Sequence, residues 1–455
     1  MTELTIPKEW VNIRISDVAN VDLGKTPKKK DYRNAGDYKV IKFRDVDYSG
    51  IDWSTDKAGF VSNDAIKDMR ELQACDVLIT ASAHSSEHIG RKICFVSKAP
   101  SDYKKVFFCG ELLDIRSEKD ILNPKFAFFY FLSHTGYREI QSHIKGVHLT
   151  SGQARNMSLP FAPFSEQKHI IEIIEELFSD LDNAIENLKK AQEQLKVYRQ
   201  AVLKYAFEGK LISATITWKR IGDFVDMMSG VAFKKAEYSE KGIRLFQIAN
   251  VTFGKTLWDK TAYLPECYLE SYPALVLKEG DVLMALNRPL LNHELKIAIL
   301  GVKDVPSILY QRVGKFIFYN DKRIVKKYFY YYMRSEYFIG DLEKALQGVN
   351  IPFINKSKLM EFKIAVTDLD SQQKIVSEIE SRFSLCDNLE ESIDENLQKA
   401  EFLRQSILKH AFEGKLTEKW RKEHKDLISG ENSAEALLRK IKAEKGVCIQ
   451  NSQHC

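Results

Sequence analysis

Two Gly-Lys-Thr triplets, Gly24-Lys25-Thr26 and Gly254-Lys255-Thr256, are the first places in the chain where a nucleotide phosphate could be held. A P-loop needs a further glycine five residues ahead of its Gly-Lys pair, so that free backbone N–H groups can cradle the phosphates. Ala19 and Ala249 stand there instead, and ATP binding is not expected. His84 and His88 have the i, i+4 spacing of helical metal ligands, but they lie among Ser82, Ser85, Ser86 and Gly90 with no third ligand, which reads as a polar loop. Glu361-Phe362-Lys363 has the look of a nuclease tail, yet it falls where a strand with one solvated face is expected. No set of residues makes a nucleophile, base and oxyanion donor together, so neither a catalytic nor a metal site is assigned.

What remains is binding chemistry. Gly24 to Lys30 puts four lysines in one turn, and Lys25, Thr26, Lys28, Lys29 and Lys30 are candidates for phosphate contacts; Lys234 and Lys235 are DNA-binding candidates in the second half. Lysine neutralises phosphate as a point charge and releases counterions, which makes affinity salt-sensitive. Arg and Lys suit guanine edges, and Asn and Gln suit adenine. The base-reading candidates are Arg44, His84, Arg91, His148, Gln153 and Arg155, then Gln247, Asn250, Asn287, Arg288, Gln311, Arg312, Asn350 and Asn355. Each alone reads as a plain surface residue; their concentration in loops makes the case.

These loops need a frame, and the chain shows one twice. RQAVLKYAFEGKL (199–211) returns as RQSILKHAFEGKL (404–416), ten of thirteen positions identical at an offset of 205. At 455 residues about three domains are expected, and 44% hydrophobic residues can build real cores. Net charge is +5, so any nucleic-acid surface must be local. Seven cysteines form no CxxC pair, which argues against a disulfide framework or zinc site. The longest fully apolar run, 126–132, is far too short for a membrane span, and a cytoplasmic location is expected.

Five segments follow. Residues 1–164 carry short β-like runs (38–43, 76–80, 92–96) and an aromatic helix at 124–137, dense enough to be core. Residues 211–370 repeat that outline, with Trp218 standing for Trp10, Asp281 for Asp76 and 325–338 for the aromatic helix. Residues 165–210 and 371–416 read as long helices, each spanning roughly 60–65 Å. The first has an unbroken 4,3 seam from Ile170 to Tyr205. Helix pairing is assigned to Ile174, Leu181, Leu188 and Leu195, and to Ile379, Leu389, Ile393 and Leu403, although polar Arg382, Asn396 and His410 interrupt the second seam. Residues 417–455 form a charged tail with a short amphipathic helix at 434–445. The fold class is α+β: two similar α/β domains separated by two long antiparallel, coiled-coil-like helices in an internal pseudo-twofold repeat.

Two variable domains, each followed by a long helix ending in RQ-x-x-L-K-x-A-F-E-G-K-L, resemble the specificity subunit of type I restriction-modification systems. Ser165-Glu166-Gln167-Lys168 and Ser371-Gln372-Gln373-Lys374 at the helix starts add to the likeness, as do the Gly24-Lys25-Thr26-Pro27 turn and Lys415 to Arg421. In the second half Gly230-Val231-Ala232-Phe233 replaces that turn. The resemblance implies two target-recognition domains, each reading one half of a bipartite, asymmetric double-stranded DNA sequence, with the helices setting the gap. It implies two modification (methyltransferase) subunits docked on this chain and restriction subunits beyond them. S-adenosylmethionine, ATP and Mg are then expected on the partners and no cofactor here. Two readers on one face of B-DNA need centres about 34–36 Å apart or a multiple of it, which a rigid helix pair can enforce. The alternative is a coiled-coil scaffold that binds proteins without sequence-specific DNA binding.

Overall fold

The computed structural model describes residues 5–54, 59–98, 102–118, 120–319 and 323–451. Both long helices are 44 residues, Phe164–Phe207 and Leu369–Phe412, and they coincide at the same offset of 205 as the repeated motif. At ~1.5 Å per residue each is about 66 Å long.

The two compact units are Met1–Asn187 with Asn396–Cys455, and Leu188–Glu395. Their boundary falls inside both helices. Each unit therefore combines one β-rich domain, the start of the helix that follows it and the end of the other helix.

In the first unit, Ile170, Ile174 and Phe178 share a buried cluster with Ile407, Leu408, Ala411 and Phe412. The Phe412 ring meets Phe126 at 5.1 Å and Tyr130 at 5.3 Å, both on the helix Pro124–Leu132. In the second unit Phe207 meets Tyr328 at 5.2 Å and Tyr332 at 5.1 Å on the helix Lys326–Met333. The aromatic helices are buried along nearly their whole length, as their density predicts. A buried Phe contributes roughly 1.5–3 kcal/mol, so the AFEG helix ends are anchors for the domains.

Each domain holds two four-stranded sheets, and the antiparallel one has the same strand order in both. The antiparallel sheet runs Ala19–Leu23, Leu112–Ser117, Val77–Thr80, Ile93–Phe95 in one, and Val225–Ser229, Val313–Phe318, Val282–Ala285, Ile297–Ile299 in the other. The other sheet has a parallel pair, Lys105–Phe108 beside Tyr38–Ile41 and Ser307–Leu309 beside Ile243–Phe246. A two-stranded ribbon, Val11–Arg14 with Ser158–Phe161 and Thr217–Arg220 with Lys363–Val366, leads into each long helix.

The structure corrects several sequence expectations. Ribbon register sets Val11 opposite Phe161 and Thr217 opposite Val366, so Trp218 corresponds to Asn12, not to Trp10. Trp10 is 3% exposed and Trp218 44%. The helix starts align one residue differently from the Ser-Glu-Gln-Lys match. Gln167 bonds the Asn123 N–H and the carbonyls of Ile121 and Ala162, while Gln372 bonds the Val325 N–H and the carbonyls of Arg323 and Thr367. These are equivalent contacts, and they leave Ser371 at the position of Glu166.

The heptad seam is also revised. Ile174 and Ile379 are fully buried, each in a cluster shared by the end of the other long helix and the domain. Leu181 and Ile393 are buried, and Leu188 and Leu195 half-buried. Leu389 and Leu403 are more than half exposed, unlike the buried seam positions Leu181 and Ile393. Arg404, 7% exposed, takes the inward place beside Leu403. It stacks over Phe178 at 4.6 Å and pairs with Asp182. A strict 3.5-residue repeat ignores such a cation, whose planar head packs on an aromatic face.

Glu166 shows a further long-range dependence. Its fully buried carboxylate accepts from Trp10 Nε1 at 2.9 Å and Thr417 Oγ1 at 2.7 Å, and pairs with Arg421. The tail therefore belongs to the first unit, where Ala434 and Ile441 of the helix Ala434–Asn451 are buried. Among the described residues, no helix is long and apolar enough to cross a membrane.

Candidate nucleic-acid interface

In each domain some of the candidate residues meet on a platform made of two bridged loops. One loop follows the strand Val77–Thr80 or Val282–Ala285; the other precedes the ribbon strand leading into the long helix. Ser82 bridges His148, which also bridges Lys145; Asn287 bridges Phe353, which also bridges Gln347. The Leu149 N–H donates to Ala81 O at 2.8 Å, and that of Ile354 to Leu286 O at 3.2 Å. The frame is thus the same in both domains. Its tips differ: Ser82, His84, Arg91 and His148 in one, Asn287, Arg288, Asn350 and Phe353 in the other.

In the first domain His84, Arg91 and His148 are exposed. Ser82 Oγ and His148 Nδ1 are 2.7 Å apart. His84 and Arg91 line a cavity of 540 Å³ with Phe43, Thr80, Ser82 and Lys92. Sequence reasoning misses Phe43 and Lys92, because a lone aromatic and a lone lysine carry no spacing signal. Arg44, half-exposed, sits beside Asp45 at 3.4 Å on the neighbouring turn. Gln153 and Arg155 are used locally. Gln153 closes a capping box with Thr150, and Arg155 bonds Val21 O and Asp22.

In the second domain Arg288, Arg312, Asn350 and Asn355 are exposed and Asn287 half-buried. Arg288 and Arg312 have φ of 46° and 69°, a left-handed backbone that L-residues occupy at a cost and that turns sharply. Asn250 is a correction. It is 1% exposed, accepts from the Gln247 N–H at 2.7 Å and donates to Leu257 O at 2.8 Å, so its amide is fully used in a turn. Asp45 accepts from the Lys42 N–H at 2.9 Å in the same way, 205 residues earlier. Gln247 and Gln311 are half-buried, their Nε2 groups 3.4 Å from tyrosine hydroxyls.

The lysine turn is exposed at Lys25, Thr26, Lys28, Lys29 and Lys30. Gly24 opens it because a Cβ there would lie 2.3 Å from the carbonyl oxygen of Cys109; Gly230 meets Leu309 O at 2.2 Å in the same role. Lys25 pairs with Asp68 at 2.8 Å, and Thr26 Oγ1 accepts from the Gly110 N–H. Lys234 and Lys235 are exposed at the start of the turn Lys235–Glu237.

Beneath the platforms, one charge is reversed. Asp76 and Asp281 cap equivalent turns, accepting from the Gln73 and Lys278 N–H groups. Sheet register makes Asp114 the counterpart of Lys315. Lys315 bonds Asp281 directly at 2.6 Å. Asp114 cannot do this for Asp76, and Arg116 takes over, with two bonds to Asp76 at 2.7 Å. Burial, then the charge of Asp76, pushes the Asp114 carboxyl up to about 7 against the pull of Arg70 and Arg116.

The sequence profile of the type I restriction modification DNA specificity domain matches residues 7–196 and again 215–399. The chain belongs to this family. It is 30% identical to the type I restriction enzyme MjaVIII specificity subunit of Methanocaldococcus jannaschii, covering 91% of this chain and 95% of that protein. It is 27% identical to the EcoKI specificity subunit of Escherichia coli K12, covering 97% and 96%. A solved chain of a type I R-M system shares the fold with TM-score 0.68 at 18% identity, covering 90% of this chain and 99% of that one. The HsdS subunit of Thermoanaerobacter tengcongensis gives 0.53 at 19% identity, covering 91% and 99%. Two repeated α/β domains and a long helix pair are thus the family's fold. The role of this chain is DNA sequence recognition and not catalysis, and a protein-only scaffold is not favoured.

Proposed function

We propose that the two platforms read the two halves of a bipartite DNA target, residues 1–164 serving one half-site and 211–370 the other. The observation carrying this is the pairing of a shared frame with divergent tips. The bridge between the two loops matches at an offset of 205, while its residues Ser82 and His148 are replaced by Asn287 and Phe353. A scaffold for one kind of partner would keep its tips alike. Different hydrogen-bonding groups on one frame suit an asymmetric sequence. Lys25, Thr26 and Lys28 to Lys30, with Lys234 and Lys235, are proposed to hold phosphates, which orient the reader without informing it.

The paired helices act as the spacer, and the modification subunits dock along them, supplying S-adenosylmethionine chemistry from their own sites. Restriction subunits, with ATP and Mg, complete the assembly. The cytoplasm, where the DNA lies, is the place of action.

Exchanging residues 1–164 for those of a relative and mapping methylated bases in the host genome tests the reading. One half of the target should change and the other should persist; alteration of both halves would remove it. Inserting a heptad-sized segment between Ile170 and Tyr205 should lengthen the gap. An unchanged gap would show that the helices are not the ruler.

A further inference from the structure

The two reading loops are anchored to their domains by the same helix position but by different chemistry. In the first domain the helix His134–His143 holds the turn Ser86–His88 with neutral groups. Gln141 Nε2 donates to Ser86 O at 3.2 Å and Ile89 O at 2.7 Å, and the Tyr137 hydroxyl donates to Glu87 O at 2.8 Å.

In the second domain the loop is a hairpin, Leu290–Leu291 with Glu294–Leu295. Asn292 and His293 close it, both left-handed at φ of 51° and 62°. It meets the helix Glu336–Ala345, where His293 Nε2 lies 2.8 Å from Glu336 Oε2 and Nδ1 lies 2.7 Å from Glu343 Oε1. Counted from the N-cap residues Ser133 and Ser335, Gln141 and Glu343 hold the same position. Seven residues make two helical turns, which puts Glu336 and Glu343 on one face. With a carboxylate at each ring nitrogen, both nitrogens donate, and the ring is an imidazolium.

We propose that His293 is a positioning residue, clasped between Glu336 and Glu343 so that recognition by the second domain, unlike that by the first, depends on proton and salt concentration. The inference rests on the reading of these loops as base readers. Mechanically the link is short. The hairpin continues directly from Asn287 and Arg288. The Lys296 N–H donates to Pro289 O at 2.8 Å, and the Arg288 N–H to Pro352 O at 2.6 Å, next to the loop bearing Asn350. A two-stranded hairpin this short has little stability of its own; buried Leu295 ties its base to the core, and the clasp holds its tip.

The direction of the pH effect follows from the partners. Hydrogen bonds from Glu336 and then Glu343 hold the His293 pKa above the ordinary histidine value. The clasp is complete below that ordinary value and is lost as pH rises through the raised one. The charged groups facing it are Glu336 and Glu343 on the helix and Glu294 on its own hairpin; the charge of Glu294 is felt by Lys196 on the first long helix. All three clasp residues are nearly half exposed, so salt weakens the contact.

Amide hydrogen exchange on the full chain reads the clasp without DNA. Protection of 286–296, corrected for intrinsic rates, is expected to fall about fivefold between about pH 6 and about pH 9, the scale of two partly exposed ion pairs. His293→Ala should show the fall already at the lower pH, and 81–92 should not respond. Glu336→Gln with Glu343→Gln keeps hydrogen-bonding capacity and should abolish the pH step. Equal protection across pH and variants overturns the clasp. Selection by the full chain from a randomised duplex library then reads the consequence: His293→Ala should blur one half of the selected sequence and spare the other. A loosened hairpin with both halves intact overturns the positioning role. Failure of the unaltered chain to select any sequence overturns the DNA reading beneath it.

Discussion

Arg199 donates to Asp387 at 2.7 Å and lies over the Phe383 ring at 5.1 Å. The same contact recurs 205 residues on, where Arg404 pairs with Asp182 and lies over Phe178. The arginine of the repeated motif thus ties each helix end to the start of its neighbour, once in each unit. The glutamine beside it makes a second repeated contact. Gln200 donates to Arg334 O at 3.2 Å and Gln405 to Leu132 O at 3.5 Å, at the ends of the aromatic helices.

Arg404→Ala should therefore loosen the first unit, and Arg199→Ala the second. Asp182 and Asp387 are well exposed, so the expected loss is about 1–2 kcal/mol for each, mostly stacking with one charge-assisted bond at Arg404 and a second, to Glu390 at 3.0 Å, at Arg199. Urea unfolding followed by a probe in each unit checks this. Arg404→Lys should recover little, because an ammonium does not stack as a guanidinium does.

The tail lock makes a larger prediction. Arg421→Ala with Thr417→Val leaves the Glu166 carboxylate buried with Trp10 as its remaining bonded partner. An uncompensated buried charge costs about 3–5 kcal/mol. Limited proteolysis should then cut the first unit early and leave the second unchanged. Equal sensitivity in both units would contradict the assignment of the tail to the first.

Asp114 introduces a pH dependence. Its raised pKa means that the folded state holds a proton that the unfolded chain, near 3.8, gives up. Its contribution to stability is present below the unfolded value and is lost as pH rises through about 7. In Asp114→Asn that decline should vanish. Unfolding midpoints of both proteins compared across this range supply the check.

For the lysine turn, Lys29→Ala with Lys30→Ala should weaken DNA binding almost uniformly over sequences. The log–log salt slope should fall by about one for each phosphate contact removed. Titrations at several salt concentrations, with the duplex identified by methylome mapping, measure it. A change in sequence preference without a change in slope would mean that these lysines read bases.

Much of the frame is legible from residues near one another in the chain. The repeat, the equal helix lengths, the aromatic core helices and the Asp76–Asp281 correspondence follow from periodicity and local motif, which act within a few turns. The candidate loops are also visible, because Gly, Ser, Asn and His cluster there between apolar strands. Asn250 misleads because a side chain spent on its own turn looks like any exposed amide in sequence.

Tertiary structure alone decided which helix end anchors which domain, why Arg404 and not Leu403 turns inward, and what neutralises Glu166. It also decided that His293 faces two carboxylates. Each of these depends on groups far apart in sequence: Glu166 and Arg421 are separated by 255 positions. Spacing along the chain constrains only neighbours on the same element. The energy of a buried charge or a stacked cation depends on the partner that folding brings to it.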